Sequence, residues 1–323
     1  MKSEKFFTSL FMLNIILIIA VVYSVKNDTM LSVFEEIFYS KKVNSGFMTF
    51  PPSILHDYGF RSDPDDVRKA GMDEIFSKTG IRHSDIDSLS TLPPFERAVM
   101  ITKMFSSMGD GVCNESLSIA DKITAAKKKS GCPKDFAEIF SALAQYSGLK
   151  TRIVKNEMSY AVEVFDGKKW FFIDPYFAMA AYNEDSHPLS YYQTADRLIH
   201  SGWIRFHFFG GENHCMYGKF PQDHPYYKNR TAFNSIYALM GDNIFSIAAK
   251  EASVPEKPKF VHIFAPYRQI KPYWVHVTVG EDSTVQLKKF VAGGLVIWVL
   301  LFIASNIVFP AYFIYTKTRR RRL

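Results

Sequence analysis

Cysteine is scarce, with three in the whole chain, and no grouping has the spacing that holds zinc: His214-Cys215 has no further ligands beside it. There is no glycine-rich phosphate loop, no internal repeat and no low-complexity segment. These absences exclude P-loop nucleotide chemistry, solenoids and fibres, and no metal or cofactor is expected. An odd number of cysteines in an exported chain lets two pair and leaves one thiol over, and Cys113 with Cys215 is the expected pair.

Long apolar runs are present at both ends. Phe6 to Tyr23 is broken only by Thr8, Ser9 and Asn14, and Phe290 to Tyr315 carries no charge. Each is long enough to be read as a membrane-spanning helix, over 6–24 and 290–315. The basic tail 316–323, with Arg319 to Arg322, places the C-terminus on the cytoplasmic side, and Lys2 and Lys5 do the same for the N-terminus. The expectation is therefore a plasma- or inner-membrane protein with an extracytoplasmic central domain. A signal peptide cleaved near Val22-Tyr23-Ser24 is the alternative for the first run. Residues 1–5 carry +1 and residues 317–323 carry +5, six of the seven net charges, so the basic pI does not point to nucleic acid.

Between these runs, 28–90 reads as an N-terminal extension of mixed character, with a short helix at Leu31 to Tyr39. Pro93-Pro94-Phe95-Glu96-Arg97 opens a helix reaching Ser106. Phe136, Ile139, Phe140 and Leu143 recur at helical spacing, and Gly148 stands where a C′ glycine ends a helix. Thr151–Lys155, Tyr160–Phe165 and Trp170–Ile173 then read as strands, with Asp166-Gly167 as a hairpin turn. Beyond residue 200 the chain is aromatic and β-like (Trp203–Phe209, Phe260–Phe264, Tyr273–Val279) around a helix near Phe233–Lys250. A helix followed by an antiparallel meander is α+β.

The segment Ser130-Gly131-Cys132-Pro133-Lys134-Asp135-Phe136-Ala137 carries the chemistry. Proline favours the first helical position, so Cys132 falls at the N-cap. The positive end of the helix dipole there, with Lys134 nearby, favours thiolate, and the backbone N–H groups could receive an oxyanion. A small cysteine packed beneath the helix is the competing reading of this segment.

The run from Gly131 to Ala137, with Phe140, Leu143, Gly148-Leu149 and Arg152-Ile153-Val154, resembles the transglutaminase-like superfamily. So do Glu163-Val164, Asp166-Gly167, Trp170-Phe171-Phe172-Ile173-Asp174-Pro175 and the lead-in Pro93-Pro94-Phe95-Glu96-Arg97-Ala98. The resemblance covers about 90–180. It implies a papain-type core with a Cys-bearing helix on an antiparallel sheet, followed by a β-rich extension over 181–287. It also implies that Cys132 is the nucleophile and Asp174 the residue orienting a base, in acyl transfer from an amide or peptide bond. The family's histidine falls on Ser159, which cannot take a proton from a thiol at neutral pH. No histidine lies between His83 and His187, so a substitute base would have to be His207 or His214.

Three functions follow from these residues. One is a degenerate domain binding a peptide or glycan strand, as an accessory to envelope or polysaccharide-assembly proteins. The second is a cysteine hydrolase or acyltransferase with a substitute base. The third is a structural module of a membrane complex. Loss of one triad member usually lowers turnover by orders of magnitude, which favours the first.

Overall fold

The computed structural model describes residues 40–57, 60–105, 108–114, 117–209, 225–253 and 274–280, with scattered residues within 12–16 and 290–318. Two compact units are present, and every element below belongs to the larger, Ser40–Pro255 with Arg268–Asp282. Its elements in chain order are β1 (Ser40–Lys42), α1 (Pro52–Asp57), β2 (Arg61–Ser62), α2 (Asp65–Thr79), α3 (His83–Asp87), α4 (Pro94–Phe105) and α5 (Ile119–Lys127). There follow α6 (Pro133–Tyr146), β3 (Lys150–Lys155), β4 (Tyr160–Phe165), β5 (Trp170–Asp174), β6 (Met179–Tyr182), α7 (Tyr191–Ile199) and β7 (Arg205–Phe208). The last are α8 (Pro225–Lys228), β8 (Ser235–Leu239), β9 (Gly241–Asp242), α9 (Ile244–Ser253) and β10 (Trp274–Thr278).

Helix α6 is the centre of the core. Pro133 starts it, and Phe136, Ile139, Phe140 and Leu143 are fully buried. It closes in a Schellman arrangement: Gly148 adopts φ +86°, its N–H bonds the Gln145 carbonyl, and the Leu149 N–H bonds the Ala144 carbonyl. Only three residues then separate α6 from β3, so the strand runs back antiparallel along the helix. The β4–β5 turn follows from Asp166, whose side chain accepts the N–H groups of Lys168 and Lys169, and from Gly167 at φ +100°.

Eight strands form one sheet in the order β1-β10-β8-β3-β4-β5-β6-β7, antiparallel except for the β1–β10 pair. The register puts Thr151, Val164 and Phe171 on the face beneath α6 and α4. There Gln145 donates to the Thr151 hydroxyl and Phe95 packs on Phe171. Arg152, Glu163 and Asp174 share the opposite face, which α7 and the 45–50 segment cover.

The architecture corrects the expected one in three respects. The fold is mixed α/β around a single large sheet, not a small core with a separate β-rich extension over 181–287. Strands β7, β8 and β10 join the sheet of β3–β6, because the outer edges of a short meander carry unpaired N–H and C=O groups that further strands satisfy. A strand, β8, stands where the Phe233–Lys250 helix was expected to begin, and the helix there is Ile244–Ser253.

Third, no helix among the described residues is long and apolar enough to cross a membrane. Spanning requires one unbroken ladder of about 20 apolar residues. The longest described stretch within 6–24 is 14–16, and within 290–315 only isolated pairs and single residues are described. The expected spans, and the localisation with outer domain and inner termini built on them, are set aside on this finding. The helix expected at Leu31 to Tyr39 and the strand at Phe260–Phe264 lie outside the described residues.

Candidate functional site

Cys132 is the N-cap of α6 and is 2% exposed. It pairs with Asp135 in a capping box: the Asp135 carboxylate accepts the Cys132 N–H at 3.1 Å, and the Asp135 N–H faces the cysteine side chain. The sulfur is not a free thiol. It is bonded to Cys113, with the two Cα atoms 4.7 Å apart, which corrects the expected Cys113–Cys215 pair. Cys215 and His214 lie outside the described residues.

The pairing follows from how the 108–114 loop is held over the helix end. Asp110 accepts the Gly131 N–H at 3.0 Å, the Gly111 N–H bonds the Gly131 carbonyl at 3.1 Å, and Asn114 donates its N–H to Asp135 at 2.9 Å. The Gly131 and Val112 N–H groups hold the Asp110 carboxyl below its ordinary pKa. Gly109 must be glycine, since a Cβ there would lie 2.2 Å from the Gly131 oxygen. Beneath the loop, buried Lys122 bridges Asp135 at 3.2 Å and Glu138 at 2.5 Å. Burial works to lower the Lys122 pKa, but Glu138 and Asp135 outweigh it and hold it above the usual lysine value.

Asp174, the last residue of β5, is fully buried. One carboxylate oxygen accepts the N–H groups of Tyr176 (2.9 Å) and Phe177 (3.0 Å), and the other accepts the Tyr227 hydroxyl from α8 at 2.5 Å. Burial pushes its pKa up to about 6, against the lowering effect of those three donors. Tyr227 is itself raised well above the usual tyrosine value, by burial first and then by Asp174, so it stays a donor. Tyr176 links this aspartate to the helix end, donating its hydroxyl to the Gly109 carbonyl at 2.9 Å and packing edge-on against Phe136.

Ser159 closes the β3–β4 turn. Its N–H bonds the Asn156 side chain at 2.7 Å, and its carbonyl accepts the Asn156 N–H at 3.0 Å. Continuing the β4–β5 register places Ser159 diagonal to Asp174 on the same face. The Ser159 hydroxyl and the Asn156 amide nitrogen are buried with no hydrogen-bond partner among the described residues. His207 is exposed on the outermost strand, opposite Ala180 and against Tyr182 and Phe209, two strands beyond β5. Among the described residues its contacts are with Ala180, Tyr182 and Phe209, not with Cys132 or Asp174.

Sequence reasoning missed Tyr227, whose approach across 53 residues leaves no local signal. It also missed a band on the α6 face of the sheet. Lys155 lies over the rings of Trp274 (4.7 Å), Tyr237 (5.4 Å) and Tyr160 (5.5 Å), and His276 stacks on Tyr237 at 4.8 Å. Alternation within each strand was visible, but which strands are neighbours was not. Since Thr151 meets Gln145 near the end of α6, Lys155 lies about 13 Å further along, towards the Cys132 end. An open hollow of about 450 Å³ lies elsewhere, lined by Ile81, Leu89, Met100 and Met104 with Asp85 and Lys127. No metal-binding group occurs among the described residues.

Comparison with family models, with curated proteins and with solved structures gives no match to this chain.

Proposed function

We propose that the protein is a degenerate, non-catalytic transglutaminase-like module that binds a peptide or glycan strand, as an accessory to cell-envelope or exopolysaccharide assembly. The observation that carries this reading is the Cys113–Cys132 bond, which holds the Cys132 sulfur at the N-terminus of α6 in a disulfide. Two further features support it. Ser159 offers no imidazole, and the Asp174 oxygen that would orient one is already occupied by Tyr227. A thiol without a base lacks the nucleophile–base–orienter arrangement that acyl transfer needs.

Binding rather than chemistry is supported by the half-buried band of Tyr160, Tyr237 and Trp274 around Lys155. Flat aromatic faces with a central cation suit the stacking of sugar rings or peptide side chains, with a few polar groups to fix orientation. Titration of the full chain with a panel of envelope-type oligosaccharides and short peptides, followed by tryptophan fluorescence, tests it. Binding should weaken at least tenfold in Trp274→Ala and be unchanged in the double variant Cys113→Ser/Cys132→Ser. Acyl transfer or amide hydrolysis that disappears in Cys132→Ser would instead make the protein an enzyme.

A further inference from the structure

The two sulfurs of the Cys113–Cys132 bond occupy opposite environments. Cys113 is exposed on the loop, whereas Cys132 is 2% exposed beneath it. That difference favours attack by a solvent thiolate on the Cys113 sulfur over the Cys132 sulfur. The Cys132 sulfur would then be the leaving group, and it sits at the N-terminus of a 14-residue helix facing the Asp135 N–H. Both the helix dipole and that donor stabilise a departing thiolate, and a leaving thiol of lower pKa departs faster. The negative charge nearest to it is already engaged, because the Asp135 carboxylate accepts the Asn114 and Cys132 N–H groups and meets Lys122.

We propose that Cys113–Cys132 is an exchangeable disulfide, with Cys113 the site attacked by a dithiol reductant and Cys132 the thiolate released. In the first step the reductant's thiolate bonds to the Cys113 sulfur, and the electron pair of the broken bond leaves on Cys132. In the second, the reductant's other thiolate attacks its own sulfur in the mixed disulfide, and Cys113 departs and takes a proton. The reductant is oxidised to a disulfide by two electrons, and the protein gains two thiol groups, with Cys132 the one favoured as thiolate.

The surroundings also favour return to the same pair. Asp110, Gly111 and Asn114 hold the loop on the helix end by hydrogen bonds that do not involve sulfur, and Tyr176 fixes Gly109. Reduction therefore leaves the two cysteines side by side, ready to re-form one bond rather than scramble with Cys215. This inference goes beyond strand binding and stands whether or not the domain binds a strand.

The test uses the full chain purified without reductant, with free thiol first capped by N-ethylmaleimide. Brief exposure to reduced glutathione and acid quenching trap the mixed disulfide, which peptide mass spectrometry locates. The expected result is glutathione on Cys113 in at least tenfold excess over Cys132, with the circular dichroism spectrum unchanged. A comparable or greater adduct on Cys132 would overturn the proposal. So would an adduct that forms only after guanidinium is added, which would make the bond a buried structural staple. Strand binding is measured separately by tryptophan fluorescence, so failure of one reading is distinguishable from failure of the other.

Discussion

Two buried polar groups share the face of the central sheet that α7 covers, and they have met different fates. One is the ion pair Arg152–Glu163. Both residues are at most 1% exposed, and Arg152 Nε donates to Glu163 at 2.7 Å and Nη2 to the Met48 carbonyl at 2.6 Å. Its guanidinium carbon lies 4.1 Å from the Trp170 ring centroid, and Glu163 also accepts the Tyr191 N–H at 2.8 Å. The other is the Ser159–Asp174 corner, where the serine hydroxyl has no partner among the described residues and Tyr227 holds the aspartate; Cys132 caps α6, the helix on the other face, and is bonded to Cys113. Among the described residues the pair is matched in charge, with only Arg152 Nη1 left without a hydrogen-bond partner, whereas Asp174 has no cation beside it. Removing one partner of a buried ion pair leaves an uncompensated charge in the core. The Ser159 turn asks nothing of the serine side chain, because it is held by Asn156 and the backbone.

The sharpest way to break that comparison is to treat the pair as dispensable. Arg152→Ala strands Glu163 and should destabilise the larger unit by about 3–5 kcal/mol, read by chemical denaturation. A loss below about 1 kcal/mol would mean that the pair does not organise the core.

Asp174 gives the next largest effect. Its folded pKa of about 6 lies above its unfolded value near 3.8. The folded state therefore binds more protons between those values, and the contribution to stability is fully present below about pH 4 and lost as pH rises through about 6. The span is at most about 3 kcal/mol. Asp174→Asn should flatten this fall while keeping the turn, since an amide oxygen still accepts the Tyr176 and Phe177 N–H groups. A variant whose stability retains the wild-type slope from pH 4 to 7 would assign the titration to another group.

Cys113→Ser/Cys132→Ser opens a loop closed across 19 residues. Its loss should cost about 2 kcal/mol, below the roughly 3 kcal/mol of loop entropy, because the hydrogen bonds at Asp110 and Asn114 keep the loop in place. A thermal-denaturation loss as large as that of Arg152→Ala would make the bond the fold's main staple. The smallest effect is expected for Tyr227→Phe, which removes one hydrogen bond to a carboxylate, about 1–2 kcal/mol. Because that bond lowers the Asp174 pKa, its removal should move the pH-dependent fall upward. Movement downward would mean that Tyr227 is not the donor.

Local order was legible along the chain. The spacing of Phe136, Ile139, Phe140 and Leu143, with Pro133 before and Gly148 after, determines a capped helix without reference to anything distant, and α6 runs over those residues. Alternation and the Asp166-Gly167 turn determine β3, β4 and β5 in the same way, since a two-residue turn leaves neighbouring strands no other partner. The same locality put Cys132 at the N-cap. What the chain order could not determine is which distant groups complete each local one. Cys113 meets Cys132 only because three side-chain and backbone hydrogen bonds fold the loop onto the helix end. Tyr227 meets Asp174 only because its ring is packed among Phe177, Phe206 and Phe233, which the chain brings together from three separate segments. Strands β8 and β10 join the meander only because its edge has backbone groups to satisfy. Even the apolar runs at the termini, long enough by composition to span a membrane, are not matched by any sufficiently long apolar helix among the described residues. Propensity and capping act over a few residues and can be read in order. Pairing across tens of residues depends on which surfaces the whole chain buries together, and only the tertiary structure decides that.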